Sequence, residues 1–444
     1  MYKHVLSIAV VAGLGLISFH AQADSLSNIF TQAHVDGQFR SYYFSRIYSA
    51  KNPDQNAFST AMLLDATTGT FGGGFSLTGT FLSANSFGTQ SSNPAAIDTT
   101  LMGPGNSISS MGQAFLQYRN QMATVRAGYQ YLNTPWMGKS DSRVAPATYN
   151  ALSMQLTPVK GLNVYAIRTF EFKSRTSRGY FSTNLYYPHT FNGDNMYGGM
   201  EGQIPASAPS FKGTWAFGAN YAANGLKIRG WYYNFMQFAR MSYVDGSYTM
   251  KTGSGINPFI GAQWVHETSG SNNQFVTNNV SLYGAPGSQV KNNTWGMEGG
   301  INIPGGRFQL GYDKISQEAG AVGNGAIISP YTAAYATDPL YTTSMIRGLV
   351  EMGPGHAWKA KFTYHFLNNH LRLMAAYAAY TTIQRGNSHD LYFDITYNFD
   401  GYLKGLSIRD RVERSNQSSS GVWKGVNPNN GSFTYNRVMM VYKF

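Results

Sequence analysis

The chain has 444 residues, of which only 12% are charged and 15% are aromatic, and its formal net charge at pH 7 is +12. It contains no cysteine, which excludes a disulfide scaffold, a cysteine-based metal site and a thiol nucleophile. It also contains no run of eighteen or more apolar residues, which excludes a membrane-spanning helix.

The amino terminus has the three parts of a secretory signal peptide. Lys3 supplies a positive charge, residues 5–19 form an apolar segment, and residues 21–23 (Ala-Gln-Ala) match a small-residue cleavage site. The apolar segment is too short to span a membrane as a helix. We therefore expect residues 1–23 to be a cleaved signal peptide and residues 24–444 to form one exported domain. Although the chain is basic, export argues against a nucleic-acid partner.

The exported part consists of short segments in which apolar and polar residues alternate, as in β-strands with one apolar face. The alternation is clearest in residues 358–366 and 391–399, where every second residue is apolar or aromatic. The predicted strands are 35–48, 57–67, 70–83, 112–119, 122–133, 148–157, 161–172, 213–223, 226–238, 240–251, 257–267, 293–303, 306–316, 357–367, 370–382, 388–399, 404–415 and 433–444. Their number is even, as a bacterial barrel with both termini on the periplasmic side requires.

The connections between these strands alternate in length. Tight turns rich in Gly, Asn and Pro are predicted at 67–69, 120–121, 158–161, 223–225, 304–306, 368–369 and 401–404. Long loops are predicted at 84–111, 134–147, 173–212, 268–292, 317–356 and 416–432. Short periplasmic turns and long external loops are typical of an outer-membrane barrel. Segment 341–351 has some strand character but is assigned to a long loop, and either Ala239 or Gly246 marks the turn within 226–251.

The last predicted strand has one apolar face and one basic face. Asn436, Val438, Met440, Tyr442 and Phe444 share the first, and Arg437, Met439, Val441 and Lys443 share the second. Together with the export signal, this strand predicts an all-β protein of the bacterial outer membrane. The expected fold is a transmembrane antiparallel β-barrel of about 18 strands with loops folded into the lumen. The terminal aromatic Phe444 resembles the signal that the barrel-assembly machinery recognises.

If the apolar face of each strand contacts lipid, the other face lines the lumen and is rich in cations. The predicted lumen cations are Arg40, Arg46, Arg119, Arg126, Arg168, Lys227, Arg229, Lys359, Lys361, Arg372, Arg409, Arg411 and Arg437. Such groups in a narrow aqueous channel create a positive potential and offer bidentate hydrogen bonds to carboxylates. Anion-selective pores use rings of Arg or Lys. The alternative is that these are ordinary polar lumen residues, some of them paired with Asp36, Asp313, Asp390 or Asp394.

Three stretches of the sequence form a distinctive set. The first is Gly37-Gln-Phe-Arg-Ser-Tyr-Tyr-Phe-Ser-Arg46. The second is residues 133–136 (Asn-Thr-Pro-Trp) followed by residues 141–146 (Asp-Ser-Arg-Val-Ala-Pro). The third comprises residues 353–361, the Arg-x-Arg strand 406–411 and Arg437. These stretches resemble the OprD family of substrate-specific outer-membrane porins, and the first is similar to the first strand of that family.

The resemblance implies an eighteen-stranded barrel that passes small carboxylate-bearing solutes, such as amino acids and organic acids, by facilitated diffusion. It implies that Asp141, Ser142 and Arg143 lie at a constriction, with a basic ladder of Arg409, Arg411 and Arg437 on the opposite wall. The residues expected to line the pore and bind solute are Arg409, Arg411, Arg437, Arg372, Lys361, Lys359, Arg40, Arg126, Arg143, Asp141 and Ser142. Asp410 departs from the pattern because an apolar outward residue is expected there, and we expect it to lie above the hydrocarbon band.

No catalytic residue, metal site or cofactor is expected. The sequence has neither a Gly-x-Ser-x-Gly nor a His-Glu-x-x-His motif, and a metal pair at His365 and His370 is disfavoured. The alternatives to a specific channel are a general diffusion porin with weak selectivity and a surface adhesin barrel. The expected partners are small anionic solutes, outer-membrane lipid and lipopolysaccharide, and the assembly machinery. Both a monomer and a homotrimer stay open.

Overall fold

The computed structural model describes residues 26–49, 53–181, 213–270, 289–332, 337–383, 385–417 and 432–444. The expected signal peptide, residues 1–23, lies outside the described residues. Among those that are described, no helix is long and apolar enough to cross a membrane.

The described residues form one sheet of eighteen antiparallel strands. This result confirms the predicted fold class and the predicted number of strands. The strands are β1 His34–Tyr48, β2 Gln55–Thr67, β3 Phe75–Asn85, β4 Ser107–Arg119, β5 Ala123–Gln130, β6 Thr148–Val159, β7 Leu162–Lys173, β8 Thr214–Ala223, β9 Leu226–Phe235, β10 Ala239–Thr249, β11 Asn257–Ser269, β12 Lys291–Ile303, β13 Gly306–Ile315, β14 Gly355–Phe366, β15 Leu371–Thr382, β16 Gly386–Asn398, β17 Leu406–Gln417 and β18 Phe433–Lys443. Two short α-helices accompany them in the described ranges, α1 Leu26–Thr31 before β1 and α2 Leu349–Met352 before β14.

The sheet closes because β1 pairs with both β2 and β18. Closure removes the sheet edges that would otherwise expose unpaired backbone groups to lipid. At the seam, the amide of Phe444 donates to the carbonyl of Gly37 at 3.0 Å, and the amide of Gly37 donates back at 2.9 Å. A Cβ atom at Gly37 would lie 2.3 Å from the Phe444 ring, so this glycine lets the terminal aromatic ring cover the seam.

The two faces of the strands differ as the alternation predicts. On β18, Val438, Met440 and Tyr442 are exposed on the outer surface, whereas Tyr435 and Arg437 are buried on the lumen side. The same separation holds for the predicted apolar faces of β14 and β16. The outer surface of the barrel is therefore apolar, as expected for strands that face lipid.

Four local expectations differ from the structure or are decided by it. β3 begins at Phe75 rather than at residue 70, because Gly72, Gly73 and Gly74 form a turn with φ of 56°, 77° and 137°. The turn between β9 and β10 lies at 236–238, so neither Ala239 nor Gly246 marks it.

Segment 341–351 belongs to a loop that contains the start of α2, as the sequence analysis assigned it. The external connections 236–238 and 383–385 are short, so long and short connections do not alternate throughout.

Arg168 is not a lumen residue, contrary to the prediction. Its neighbours Ile167 and Thr169 are buried on the lumen side, so Arg168 lies on the outer face of β7. There its guanidinium lies 4.9 Å from the ring centre of Phe170 and 5.5 Å from that of Trp215. A long cationic side chain can cover aromatic rings near a membrane interface while its charge reaches water. Alternation alone could not distinguish this position from a lumen position.

Asp410 lies on the outer face within the apolar band, not above it as expected. Its cross-strand partners are Val438 and Ile395, which are both exposed apolar residues. The amide nitrogen of Asn436, also on the outer face, donates to the Asp410 carboxylate at 2.6 Å. Ser41 and Thr60 are joined in the same way at 3.2 Å. Pairing is required because an unsatisfied polar group in hydrocarbon costs several kcal/mol.

We predict that the double variant Asp410→Val/Asn436→Val raises the free energy of unfolding by roughly 1–2 kcal/mol. It removes a charged side chain from the lipid face, which is destabilising there, and it leaves neither partner of the hydrogen bond unpaired. The measurement is denaturant unfolding of the barrel in lipid vesicles. The matched control is Asp36→Val, since the Asp36 side chain is 73% exposed near the end of β1 and outside the apolar band. A loss of stability in the double variant would show that the bond between Asp410 and Asn436 outweighs the cost of the carboxylate.

Candidate functional site in the barrel lumen

Three loops fold into the lumen: residues 86–106, residues 131–147 and, in its described parts 316–332 and 337–354, the loop 316–354. Loop 131–147 crosses the lumen. Near its start, Trp136 packs edge-on against Tyr243 of β10, with ring centres 6.1 Å apart. The hydroxyl of Tyr233 on β9 donates to Thr134 at 3.1 Å. At the other side of the lumen, Asp141 forms an ion pair with Arg40 of β1 at 2.6 Å.

Arg40 holds the tip of loop 131–147 through several bonds. Its guanidinium donates to both carboxylate oxygens of Asp141, at 2.6 and 3.1 Å, and to the carbonyl of Arg143 at 2.8 Å. Arg143 in turn donates from Nε to the carbonyl of Thr100 at 2.6 Å, and Ser142 accepts from Arg175 at 3.2 Å. The predicted constriction residues are therefore brought together, and they are joined to the neighbouring loop 86–106.

Loop 86–106 is fixed by a second buried ion pair. Asp98 lies 3.6 Å from Arg46 of β1, and the Thr100 hydroxyl lies 2.9 Å from that of Tyr435 on β18. Burial by itself would raise the pKa of the Asp98 carboxyl, but Arg46 and the hydrogen bonds of Tyr435 and Thr100 lower that pKa below its usual value. Asp98 thus stays ionised and keeps the loop against the wall.

Loop 316–354 is held by carboxylates of the wall. Asp313 of β13 accepts from the amide and the hydroxyl of Thr342 at 2.7 and 2.8 Å. Asp390 of β16 pairs with the fully buried Arg347 at 2.5 Å. Glu413 of β17 accepts from the amide of Met345 at 2.7 Å. These acids therefore serve the loop, and neither Asp313 nor Asp390 pairs with a predicted lumen cation within the described residues.

A cluster of three arginines surrounds Asp394 of β16. Arg409 donates to both of its oxygens, one at 2.9 Å, Arg372 of β15 lies at 3.3 Å and Arg411 at 3.7 Å. The hydroxyl of Tyr392 accepts from Arg411 at 2.8 Å and donates to Asp394 at 2.8 Å. One carboxylate cannot neutralise three guanidinium groups, so the cluster retains positive charge. The pairing with Asp394 was one of the predicted alternatives.

The three predicted ladder residues and Arg372, a predicted pore-lining residue, differ in their access to the lumen. The side chains of Arg409 and Arg372 are 34% and 31% exposed, whereas that of Arg411 is 11% exposed and Arg437 is 1% exposed. Arg437 lies directly across from Arg411 and rests on the rings of Phe44 and Tyr435, at 4.9 and 4.4 Å. A solute in the lumen therefore meets Arg409 and Arg372 first.

The remaining predicted site residues lie further along the wall. Lys359 is buried and donates to the carbonyl of Thr343 at 2.6 Å, which fixes loop 316–354. Lys361 points to the lumen beside it and is half-buried. Arg126 donates from Nε to Gln117 at 2.8 Å on β4. Among these, Lys361 can contribute directly to a positive lumen, whereas Lys359 has a structural contact to a loop.

The constriction residues and the ladder do not face each other from opposite walls. Arg143 lies 5.3 Å from the Phe44 ring, the same ring that Arg437 contacts, and Asp141 binds Arg40 on the strand next to β18. Loop 131–147 therefore crosses the lumen and ends beside the ladder. The expectation of an opposite position was wrong because Arg40 of β1, an attachment point for the loop tip, lies next to β18 in the closed sheet.

The strand pattern predicted Arg229 as a lumen cation but not its acidic partner, and it missed Arg307 and Glu298. Arg229 pairs with Asp245 at 2.8 Å, and Arg307 lies 3.7 Å from Glu298. These pairs and Tyr341 contribute to the lining of a cavity of about 410 Å³ on the β7–β13 side of the lumen. The sequence did contain one signal for Asp245. It lies two residues from Ser247, so both side chains point to the same face of the strand. This spacing does not show which cation Asp245 pairs with.

Comparison with known proteins identifies the family. A profile of the OprD family, described as outer membrane porin, matches residues 28–444. The chain is a member of the OprD family. Its resemblance to that family, inferred from three short stretches, is thereby confirmed. No curated protein sequence matches the chain significantly.

Solved structures of porins share the fold. OccK9 (OpdG) of Pseudomonas aeruginosa superposes with a TM-score of 0.73 at 15% identity, over 94% of this chain and 99% of the other. OccAB3 of Acinetobacter baumannii gives 0.72 at 15% identity, over 93% and 99%. OpdK of P. aeruginosa, solved with vanillate, gives 0.70 at 14% identity, over 93% and 99%. As a member of the OprD family, this chain is a porin of the bacterial outer membrane.

We predict that Arg40→Gln raises the single-channel conductance and its noise in a planar bilayer, because the tip of loop 131–147 loses its ion pair with β1. The matched control is Lys139→Gln. Lys139 also approaches Asp141, at 3.6 Å, but its side chain is 47% exposed, and exposed pairs contribute little. An unchanged conductance in Arg40→Gln would show that the other contacts hold the loop alone.

Proposed function

We propose that this porin conducts small carboxylate-bearing solutes, such as organic acids and amino acids, by facilitated diffusion. The observation that carries the proposal is the cluster of Arg372, Arg409 and Arg411 around the single carboxylate of Asp394. Its surplus of positive charge lies at the lumen surface. A positive surface in a narrow water-filled path attracts anions and repels cations.

The geometry of Arg409 and Arg372 suits transient binding of a carboxylate. A guanidinium presents a planar set of donors that matches two carboxylate oxygens. Because Asp394 already occupies part of each fork, an incoming carboxylate competes with it and is not held permanently. Rapid release is as necessary as binding in a channel. Arg411 and Arg437, which lie behind the surface, add to the potential without direct contact.

Loop 131–147 provides groups for the rest of the solute. Lys139 and Asp141 are partly exposed, at 47% and 25% of their side chains, and Ser142 is half-buried. An anionic oxygen can be received by Lys139, and an ammonium or hydroxyl group can be received by Asp141. Solutes with both a carboxylate and a second polar group are therefore favoured over simple inorganic anions.

The neighbouring structures support this substrate class by analogy of fold only. OpdK was solved with vanillate, an aromatic carboxylate, and another neighbour is a BenF-like porin from Pseudomonas fluorescens Pf-5. At 14% and 15% identity, neither determines the solute of this chain. The distribution of charge in the lumen is the stronger support.

We further propose that the assembly machinery recognises the carboxyl-terminal strand through Phe444. The ring of Phe444 lies on the outer face, 5.5 Å from that of Phe39, and its backbone joins the strand that closes the barrel. The proposal agrees with the expected assembly signal, and both a monomer and a homotrimer are compatible with it.

The test of the anion preference is the double variant Arg372→Gln/Arg409→Gln. We predict a shift of the reversal potential toward cations and a roughly tenfold rise in the half-saturation concentration for benzoate, since hydrogen bonds to charged groups contribute about 1.5–3 kcal/mol. Benzyl alcohol, which lacks the carboxylate, should be unaffected. The measurement is ion selectivity and benzoate block in planar bilayers.

Two control variants make the test specific. Arg414→Gln removes one positive charge from β17, but this residue points outward, so selectivity should not change. Asp394→Asn removes the neutralising carboxylate, so anion preference should increase. If all variants retain the selectivity of the original protein, the arginine cluster is structural and the protein is better described as a weakly selective porin. If neither the original protein nor any variant conducts ions in the bilayer, an adhesin function is favoured.

A further inference from the structure

Outward-facing cations are distributed unevenly around the described strands. Arg168 on β7, Arg240 on β10, Lys291 on β12 and Lys314 on β13 all face outward. By contrast, β1 to β6 and β14 to β18 together carry one outward-facing Lys or Arg in the described residues, Arg414 of β17. We name the four residues on β7 to β13 the outer basic sector. An uneven distribution indicates that one side of the barrel meets negative charge.

The orientation of these side chains follows from their neighbours. Met241 beside Arg240, Asn292 beside Lys291 and Asp313 beside Lys314 are fully buried on the lumen side. Side chains on a strand alternate between faces, so the residue next to each of them points outward. The side chain of Lys291 is 62% exposed, and Arg240 and Lys314 are exposed as well.

Register places three of these cations on one row across five adjacent strand pairs. The row runs, in pairing order, through Arg168, Trp215, Asn234, Arg240, Thr268 and Lys291. Neighbouring strands are about 4.8 Å apart, so Arg168 and Arg240 are separated by roughly 14 Å, and Arg240 and Lys291 by roughly 10 Å. No acidic residue interrupts the row itself.

Tryptophans show the level of the row in the membrane. Trp215 belongs to the row, and Trp264 and Trp295 are exposed on the outer face of β11 and β12, on the membrane side of the row. Outward tryptophans mark the headgroup level. Lys314 pairs directly with Trp295, so it also lies at this level. Because barrel strands tilt by about 35–45°, the row climbs from the headgroup level at Arg168 to a position further out at Lys291.

Local contacts favour an anionic group at this sector. The guanidinium of Arg168 rests on the rings of Phe170 and Trp215, which orients it along the outer surface. Glu318 forms an ion pair with Lys291 at 2.6 Å. The apolar residues below the row, among them Phe217, Tyr232 and Val244, are exposed. A positive surface above an apolar surface is complementary to a lipid with acyl chains and an anionic headgroup.

We propose that the outer basic sector is a binding site for the phosphate groups of an anionic lipid in the outer leaflet, namely lipopolysaccharide. The acyl chains lie against the apolar residues of β8 to β12, and the phosphates contact Arg168, Arg240 and Lys314. Guanidinium and ammonium groups form strong, charge-assisted hydrogen bonds to phosphate oxygens. The side of the barrel formed by β14 to β18 and β1 to β6 has few cations and receives no such lipid at a fixed position.

The test uses the double variant Arg240→Gln/Lys314→Gln in the purified full-length barrel. These positions are chosen because Lys291 has an ion pair with Glu318 and Arg168 has aromatic contacts whose loss could disturb the loop ends. The matched control is Arg414→Gln/Lys404→Gln, which removes the same charge from β17 and from the short turn before it. Heat-modifiable migration in gels verifies that every variant is folded.

Binding is measured by native mass spectrometry of the delipidated barrel, titrated with lipid A that carries its phosphates and with dephosphorylated lipid A. We expect the double variant to bind phosphorylated lipid A about tenfold more weakly, because cations near a membrane surface add strongly to the binding of anionic lipid. The control variant should bind like the original protein. Dephosphorylated lipid A should bind weakly to all three proteins.

Three results would overturn the proposal. Equal weakening in the double variant and the control would show that only the total charge matters. Equal binding of both lipids by the original protein would show that acyl-chain contact suffices and that phosphate is not recognised. Unchanged lipid binding with an altered oligomeric state in the double variant would assign the sector to contact with a second copy of the chain.

Discussion

Ion pairs and charged hydrogen bonds between the barrel wall and the inward loops determine the shape of this channel. Eighteen strands alone enclose an open aqueous lumen, and the loops could equally well extend into the external medium. Arg40 with Asp141, Arg46 with Asp98, and Asp390 with Arg347 hold three loops inside. The second and third pairs are buried, whereas Asp141 of the first pair keeps partial access to the lumen. The constriction is thus a property of the bonds between wall and loop.

The proposed function depends on the charge that remains after those bonds are made. Asp313 and Glu413 of the wall accept hydrogen bonds from loop 316–354, whereas Asp394 faces three guanidinium groups. Within the described residues, cations therefore gather in the lumen at β15 to β17 and on the outer surface at β7 to β13. In the two proposals above, the first group attracts an anionic solute and the second an anionic lipid.

The strands could be predicted because a period of two is a local property, and apolar outward residues such as Phe393 and Ile395 report it directly. The loop contacts could not be predicted in the same way. Arg40 and Asp141 are 101 positions apart, and no local pattern connects them. Arg168 was assigned to the wrong face of β7. A cation that covers aromatic rings on the outer surface occupies every second position of a strand, just as a cation that lines the lumen does. The short resemblance to a family supplied the constriction loop, but only the closed sheet showed that it ends beside the ladder.

The buried ring of Phe44 joins the loop to the wall in a way that constrains how this chain can diverge. The guanidinium groups of Arg143 and Arg437 both contact this ring, and the ring of Tyr435 packs edge-on against it at 5.9 Å. A smaller side chain at this position would remove an aromatic contact from two arginines at once, and Arg437 would keep another, with Tyr435. In related channels with a different residue here, we expect both cations to have changed too, so that the three positions vary together as one unit during evolution.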